Sequence, residues 1–279
     1  MSYKTILVHL TDMRRQANLV DVATSVAGQD NAHLVGLCVV PPIVVIAGAE
    51  GGPPVIIEEH RTAYRSQMAR LRDSFEAATR AQTYQAEWRE ADPGYADAAT
   101  LIIDQGRSAD LIIAIQTDPE WQYSAQLEAP ERLVLESGRP VFLIPKSGTF
   151  SSPAKRVVVA WNGKREAARA VFDALPLLQQ AKDVVVLWVD PQKDGDMAGD
   201  LPGVDICQAL DRHGVNCETT QTIRPSTDVG DALLSAVRSH AADLLVMGCY
   251  GHSRLREFVF GGASRYVLQH MLVPVLMSH

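Results

Sequence analysis

Ala109-Asp110-Leu111-Ile112-Ile113 returns later in the chain as Ala242-Asp243-Leu244-Leu245-Val246, an offset of 242 − 109 = 133 residues. A recurrence of this kind, repeated in order along the chain, means that one architectural unit has been written twice. Pro140-Val141-Phe142-Leu143 is matched by Pro274-Val275-Leu276-Met277, at 274 − 140 = 134. Lys4-Thr5-Ile6-Leu7-Val8 is matched by Lys155-Arg156-Val157-Val158-Val159, at 155 − 4 = 151. The first half therefore carries about 151 − 134 = 17 extra residues between its early and middle strands. The seam falls in the Ser/Gly/Pro stretch 146–153, which has linker composition. It divides the chain into domains 1–148 and 153–279.

Within each half, short β-branched runs alternate with segments of helical period. The expected strands of the second half are 157–160, 184–189, 216–223, 244–247 and 273–277, with helices over 166–178, 204–213, 228–240 and 263–270. Those of the first half are 5–10, 33–40, 84–89, 111–115 and 141–144. Apolar strands separated by helices predict parallel sheets covered on both faces, with right-handed crossovers. The expected fold class is α/β, two tandem doubly wound domains with a five-stranded parallel sheet each. The extra length of the first half falls at 41–57, an apolar, Pro- and Gly-rich stretch. It reads either as a loop folded over its own domain or as an exposed surface for a partner or a greasy ligand.

Composition narrows the function. The 279 residues carry 26 Lys and Arg against 33 Asp and Glu, a formal net charge of −7 that disfavours nonspecific nucleic-acid binding. Four cysteines, none in a C-x-x-C pair, do not describe a disulfide framework or a zinc site. The expected state is reduced thiols in the cytoplasm. The first residues lack the apolar core of a signal peptide, and no run reaches the roughly 18 apolar residues of a membrane span.

The chemistry concentrates in Gly248-Cys249-Tyr250-Gly251-His252-Ser253-Arg254-Leu255-Arg256-Glu257-Phe258-Val259-Phe260-Gly261-Gly262-Ala263-Ser264. This segment follows the fourth strand of the second half, at the end of the sheet where α/β folds bind ligands. Gly248 and Gly251 permit a sharp turn and a close backbone approach to an anion. Gly261-Gly262 opens a helix whose free N–H groups favour negative charge, and the Ser264 hydroxyl adds a donor. The same spacing also suits turn-making glycines, so both readings stand at this point.

The pattern G-x2-G-x9-G, at Gly248, Gly251 and Gly261 between the fourth strand and last helix of a repeated five-strand unit, resembles the nucleotide motif of the universal stress protein (UspA) family. The resemblance covers nearly the whole chain, one family domain per half, in a tandem form the family is known to take. It implies a Rossmann-like domain of the adenine nucleotide alpha hydrolase kind. The implied ligand is ATP, together with Mg2+, bound as a regulator of stress response. Carried over by position, adenosine contact falls on Ala160, Trp161 and Asn162, and backbone reading of adenine on Val189. The phosphates fall to Met247, Gly248, Cys249, Gly251, Gly261, Gly262, Ala263 and Ser264.

Asn162 stands where the family usually has Asp, and Gly262 where it usually has Ser or Thr. The first half departs further. The offset of 133 places Ile115, Asp118 and Glu128 at the three glycine positions, although Asp12 keeps the acidic position of the first strand. Two carboxylates at a phosphate site repel it, so the first half is expected to bind no nucleotide. The resemblance also implies that the halves pack as an internal copy of the family homodimer through 141–144 and 273–277, with a further homodimer open.

Other readings carry less. Gly251-His252-Ser253-Arg254-Leu255 lacks the last glycine of a nucleophile elbow, Cys249 and His252 have no second ligand pair for zinc, and no Walker A sequence occurs. Arg254 and Arg256 serve either a phosphate or the solvent. Trp161 and Trp188 either flank a base or fill the core. No residue offers a clear catalytic base, so at most a slow ATPase is expected, with no catalytic or metal-ligating residue assigned. The alternative function is a nucleotide-free interaction or small apolar ligand-binding protein using 41–57.

Overall fold

The computed structural model describes residues 2–43, 45–46, 55–56, 59–151, 154–190, 203–223, 228–249 and 262–279. The chain forms two compact units. One holds Tyr3–Arg139, and the other holds Pro140–His279 with Met1–Ser2.

The first unit is built on a parallel sheet of β1 (Thr5–His9), β2 (His33–Val39), β5 (Ala86–Ala91) and β6 (Leu111–Ile115), in the order β6-β1-β2-β5. Its helices are α1 (Gln16–Asp30), α2 (Glu59–Thr79), α3 (Ala98–Gly106), α4 (Ser124–Leu127) and α5 (Pro130–Glu136). Strands β1 and β6 are buried along nearly their whole length, as continuous apolar runs in a doubly covered sheet require. The extra length of this half supplies β3 (Val45–Ile46) and β4 (Val55–Ile56), an antiparallel pair, followed by the 21-residue α2. Most of 41–57 lies outside the described residues. α2 docks on the sheet through Tyr64, Met68, Leu71 and Phe75, all buried at helical spacing.

The second unit repeats the topology with β8 (Arg156–Trp161), α6 (Arg165–Asp173), α7 (Leu175–Leu178), β9 (Asp183–Val189), α8 (Val204–Asp211), β10 (Cys217–Thr222), α9 (Val229–Ser239), β11 (Leu244–Gly248), α10 (Gly262–His270) and β12 (Val275–Ser278). The order β10-β9-β8-β11-β12 is parallel throughout. The helix expected over 166–178 is two helices. Pro176 has no N–H to donate and sits at the start of α7, where that absence costs nothing.

The repeated Ala-Asp pair has a physical reason. Asp110 accepts hydrogen bonds from the backbone N–H groups of Lys4 and Thr5, at 2.7 and 3.0 Å. Asp243 does the same for Lys155 and Arg156, at 3.1 and 2.9 Å. In each unit the carboxylate before the fourth strand fixes the start of the first strand beside it.

The compact units divide ahead of the linker stretch 146–153. The reason is β7 (Val141–Ile144), which pairs antiparallel with β12, Leu143 opposite Val275 and Phe142 opposite Leu276. Phe142 is fully buried there. Phe142→Ala removes an aromatic side chain from a packed strand pair and is expected to cost about 3–5 kcal/mol, read as a lower urea midpoint with unchanged slope.

Candidate functional site

The carboxyl end of the second sheet gathers the ends of β8, β9 and β11 with the start of α10. After β8, Trp161 is half-buried and Asn162 is exposed, and Asn162 Oδ1 accepts from the Lys164 N–H at 3.1 Å. Gly163 follows with φ +69°, a left-handed turn suited to glycine. Ala160 is half-buried one residue earlier. At the end of β9, Val189 is half-buried, and Asp190 turns away at φ +52° while its N–H donates to the Thr222 carbonyl. Trp188 is buried, in register with Trp161, and its Nε1 has no partner among the described residues.

At the end of β11, Met247 is buried and Gly248 half-buried. A Cβ on Gly248 would stand closer than 3.0 Å to the backbone of Glu166 and Ala167. Gly248 therefore lets the first turn of α6 lie against the strand end. The Cys249 N–H donates to the Ser278 carbonyl at 2.9 Å. Its thiol is fully buried, and that burial pushes it up to about 12 even though a hydrogen bond with Ser264 works the other way. Ser264 is buried with it, so its hydroxyl faces Cys249 in this arrangement. Gly262 and Ala263 are the accessible start of α10. Residues 250–261, with Gly251, His252, Arg254, Arg256 and Gly261, lie outside the described residues.

Two acidic neighbours were not read from the sequence. Asp228 caps α9 by accepting from the Gly230 N–H at 2.7 Å, and its Oδ2 lies 3.0 Å from the place a Gly262 Cβ would take. A Cβ at Gly230 would meet the Ala263 carbonyl, so α9 and α10 touch here. Glu166 is buried at the start of α6. Burial opposes its ionisation, but hydrogen bonds, Arg165 and His279 outweigh that and hold its carboxyl below the usual range. The local bonds of Asp228 and Glu166, to Gly230 and Arg165, gave no sign of the approach to Gly262 and Gly248, which lie far away in sequence.

The corresponding end of the first sheet is filled by its own side chains. Arg15, buried, donates from Nη2 to Glu128 Oε1 at 2.6 Å and from Nε to Asp12 Oδ2 at 3.2 Å. Glu128 Oε2 accepts from the Asp118 N–H and the Ser124 hydroxyl, both at 2.7 Å. Asp118 Oδ2 lies 3.9 Å from Arg15 Nη1, and the guanidinium stacks over Trp121 at 5.2 Å. Burial alone would raise the Asp12 carboxyl, but Arg14 and Arg15 outweigh it and hold it below the usual carboxylate range.

Comparison with known proteins agrees with this architecture. A model of the universal stress protein family matches residues 153–279. Over this segment, a little under half of its length, the chain is similar to the universal stress protein family. A universal stress protein of Synechocystis is 25% identical over 148 residues, which is 52% of this chain and 49% of that relative, so the match spans about half its length. A universal stress protein from Archaeoglobus fulgidus shares the fold with a TM-score of 0.72 at 16% identity, covering 98% of this chain and 95% of that one. A functionally unknown protein from Pseudomonas aeruginosa superposes with a TM-score of 0.59 at 15% identity, covering 99% and 92%. Among the described residues, no helix is long and apolar enough to cross a membrane.

Two measurements check these sites. Gly248→Ala forces α6 away from the end of β11 and is expected to destabilise by about 1–3 kcal/mol, read by urea unfolding. His9, buried in β1 near the first-half cluster, has its pKa lowered by desolvation from 6.5 to about 4. Between those values the unfolded chain binds the extra proton, so stability must fall as pH drops from 6.5 toward 4. The expected loss is about 2 kcal/mol by pH 5 relative to neutral pH. His9→Leu should remove that part of the pH dependence in paired urea titrations.

Proposed function

We propose that the second domain binds ATP, with Mg2+, as a regulatory ligand. The adenosine lies over the ends of β8 and β9, against Ala160, Trp161, Asn162 and Val189. The phosphates meet the segment that runs from Met247, Gly248 and Cys249 through Gly251 and Gly261 to Gly262, Ala263 and Ser264. The observation that carries the reading is the contrast between halves. Where the first half presents Glu128, already hydrogen-bonded to a backbone N–H of the turn after β6, the second half has Gly261 and brings no carboxylate of its own at that position.

The residues fit the group in kind. Backbone donors at a strand end and a helix start suit phosphate oxygens, and Trp188 Nε1 is a buried donor without a partner among the described residues. Asp228 beside Gly262 gives a phosphate a negative neighbour, which is why the cation belongs to the same proposal. The bound cation would neutralise phosphate charge. The chain's own part is to hold and orient the nucleotide, with no side chain assigned to attack or proton transfer. The similarity of residues 153–279 to the universal stress protein family supports this reading.

Calorimetric titration of the full chain with ATP and Mg2+ tests it. The wild type should bind, and Gly251→Val should bind about 10- to 100-fold more weakly, the loss of one or two hydrogen bonds to a charged group. Equal affinities would remove the glycine turn from the site. Absence of binding in both would remove the nucleotide.

A further inference from the structure

We propose that the carboxyl-end crevice of the first domain is an oxyanion site occupied by the chain's own Glu128, so that this domain is held permanently in an anion-bound state and accepts a small carboxylate once that side chain is removed. Glu128 sits as a bound anion would. Its two oxygens take three donors of three kinds: a guanidinium, a hydroxyl and the main-chain N–H of Asp118. Asp118 stands at the position that Gly251 holds in the second half, and Glu128 at that of Gly261. The first domain thus keeps a backbone donor in the turn after its fourth strand and meets it from within.

Burial makes this a built site rather than a surface ion pair. The Glu128 side chain is fully buried and that of Arg15 is 9% exposed. Beside the pair, Arg15 Nη1 is buried and makes no hydrogen bond among the described residues, with Asp118 Oδ2 3.9 Å away. The cradle therefore has unused polar capacity. Charge explains why it excludes other anions as it stands. Asp12, Asp118 and Glu128 face Arg14 and Arg15, three carboxylates against two guanidinium groups. An incoming anion would be a fourth negative group. Without Glu128 the count is two against two, and the Arg15 Nη2, Ser124 Oγ and Asp118 N–H donors lose their acceptor.

The test is chemical rescue of the full chain with formate, a carboxylate small enough for the space an alanine leaves. No nucleotide is added, so its outcome is independent of the ATP reading. Glu128→Ala is expected to lower Tm, and sodium formate to raise it again in proportion to the logarithm of its concentration, beyond sodium chloride at equal ionic strength. Hydrogen exchange at the Asp118 amide should quicken in the variant and slow again with formate. Glu128→Gln, which keeps the volume filled, should lose Tm without recovering it in formate, and the wild type should not respond. Should Glu128→Ala fail to fold alone, the same contrast is read as refolding yield with and without formate. A Tm, amide exchange rate and yield that formate leaves unchanged, or an equal gain in wild type, Gln and Ala variants, would overturn the proposal.

Discussion

Parallel sheets leave backbone N–H groups at the ends of strands and in the turns beyond them, and every one that is withdrawn from water must find an acceptor. This chain answers that demand with carboxylates wherever its sequence repeats. Asp110 and Asp243 take two N–H groups each at the amino end of β1 and β8, in the same way in both domains. Glu128 takes one in the turn after β6. The domains share the first solution and diverge on the second. The amino ends of the sheets are alike, and the carboxyl ends, where ligands bind, are where the two halves have become different proteins.

The divergence has a packing side as well as an electrostatic one. In the second domain Gly248 closes β11 and the backbone of Glu166 and Ala167 rests against it. In the first domain Ile115 ends β6, buried, so the helix that follows β1 must clear a whole side chain. A one-residue difference thus sets how near the first helix comes to the fourth strand. It also decides what fills the gap in front of them. The first domain fills it with Arg15, at the start of α1, stacked over Trp121.

Most strands were legible because they are short apolar runs bounded by polar turns, while β5 and β10 are largely polar and half-buried, and the repeat fixed their order. The boundary errors follow from single residues. Pro176 splits the helix expected over 166–178. Pro274 gives β12 its start at Val275, since a proline has no N–H for the ladder, though its carbonyl accepts from Leu245 at 3.0 Å. The β3–β4 pair was not foreseen, because the insertion at 41–57 has no counterpart in the second half to align with, whereas α2 makes the crossover that α8 makes there. At the first-half site, spacing named residues of the turn after β6 but not their partners. Asp118 and Glu128 were expected to repel an outside anion. That Glu128 is itself held as the anion depends on Arg15, 113 residues away, which no local pattern announces.

The same distance problem bears on the meaning of the glycines. A glycine motif read from sequence does not say whether the missing side chain makes room for a ligand or for the protein's own backbone. At Gly248 the structure gives the second reason directly, because a Cβ there would meet α6 before it met anything bound. At Gly262 the nearest neighbour is the Asp228 carboxylate, which belongs to the cap of α9. Neither observation removes the anion from the proposed site. Both glycines thus answer first to the protein's own packing, and for the proposed site the acidic neighbour at α10 is a reason for a cation to accompany a nucleotide. In this light the −7 charge of the chain and the anion chemistry proposed for it are not in conflict. Carboxylates supply the internal acceptors that hold the frame, as Asp110, Asp243 and Glu128 do.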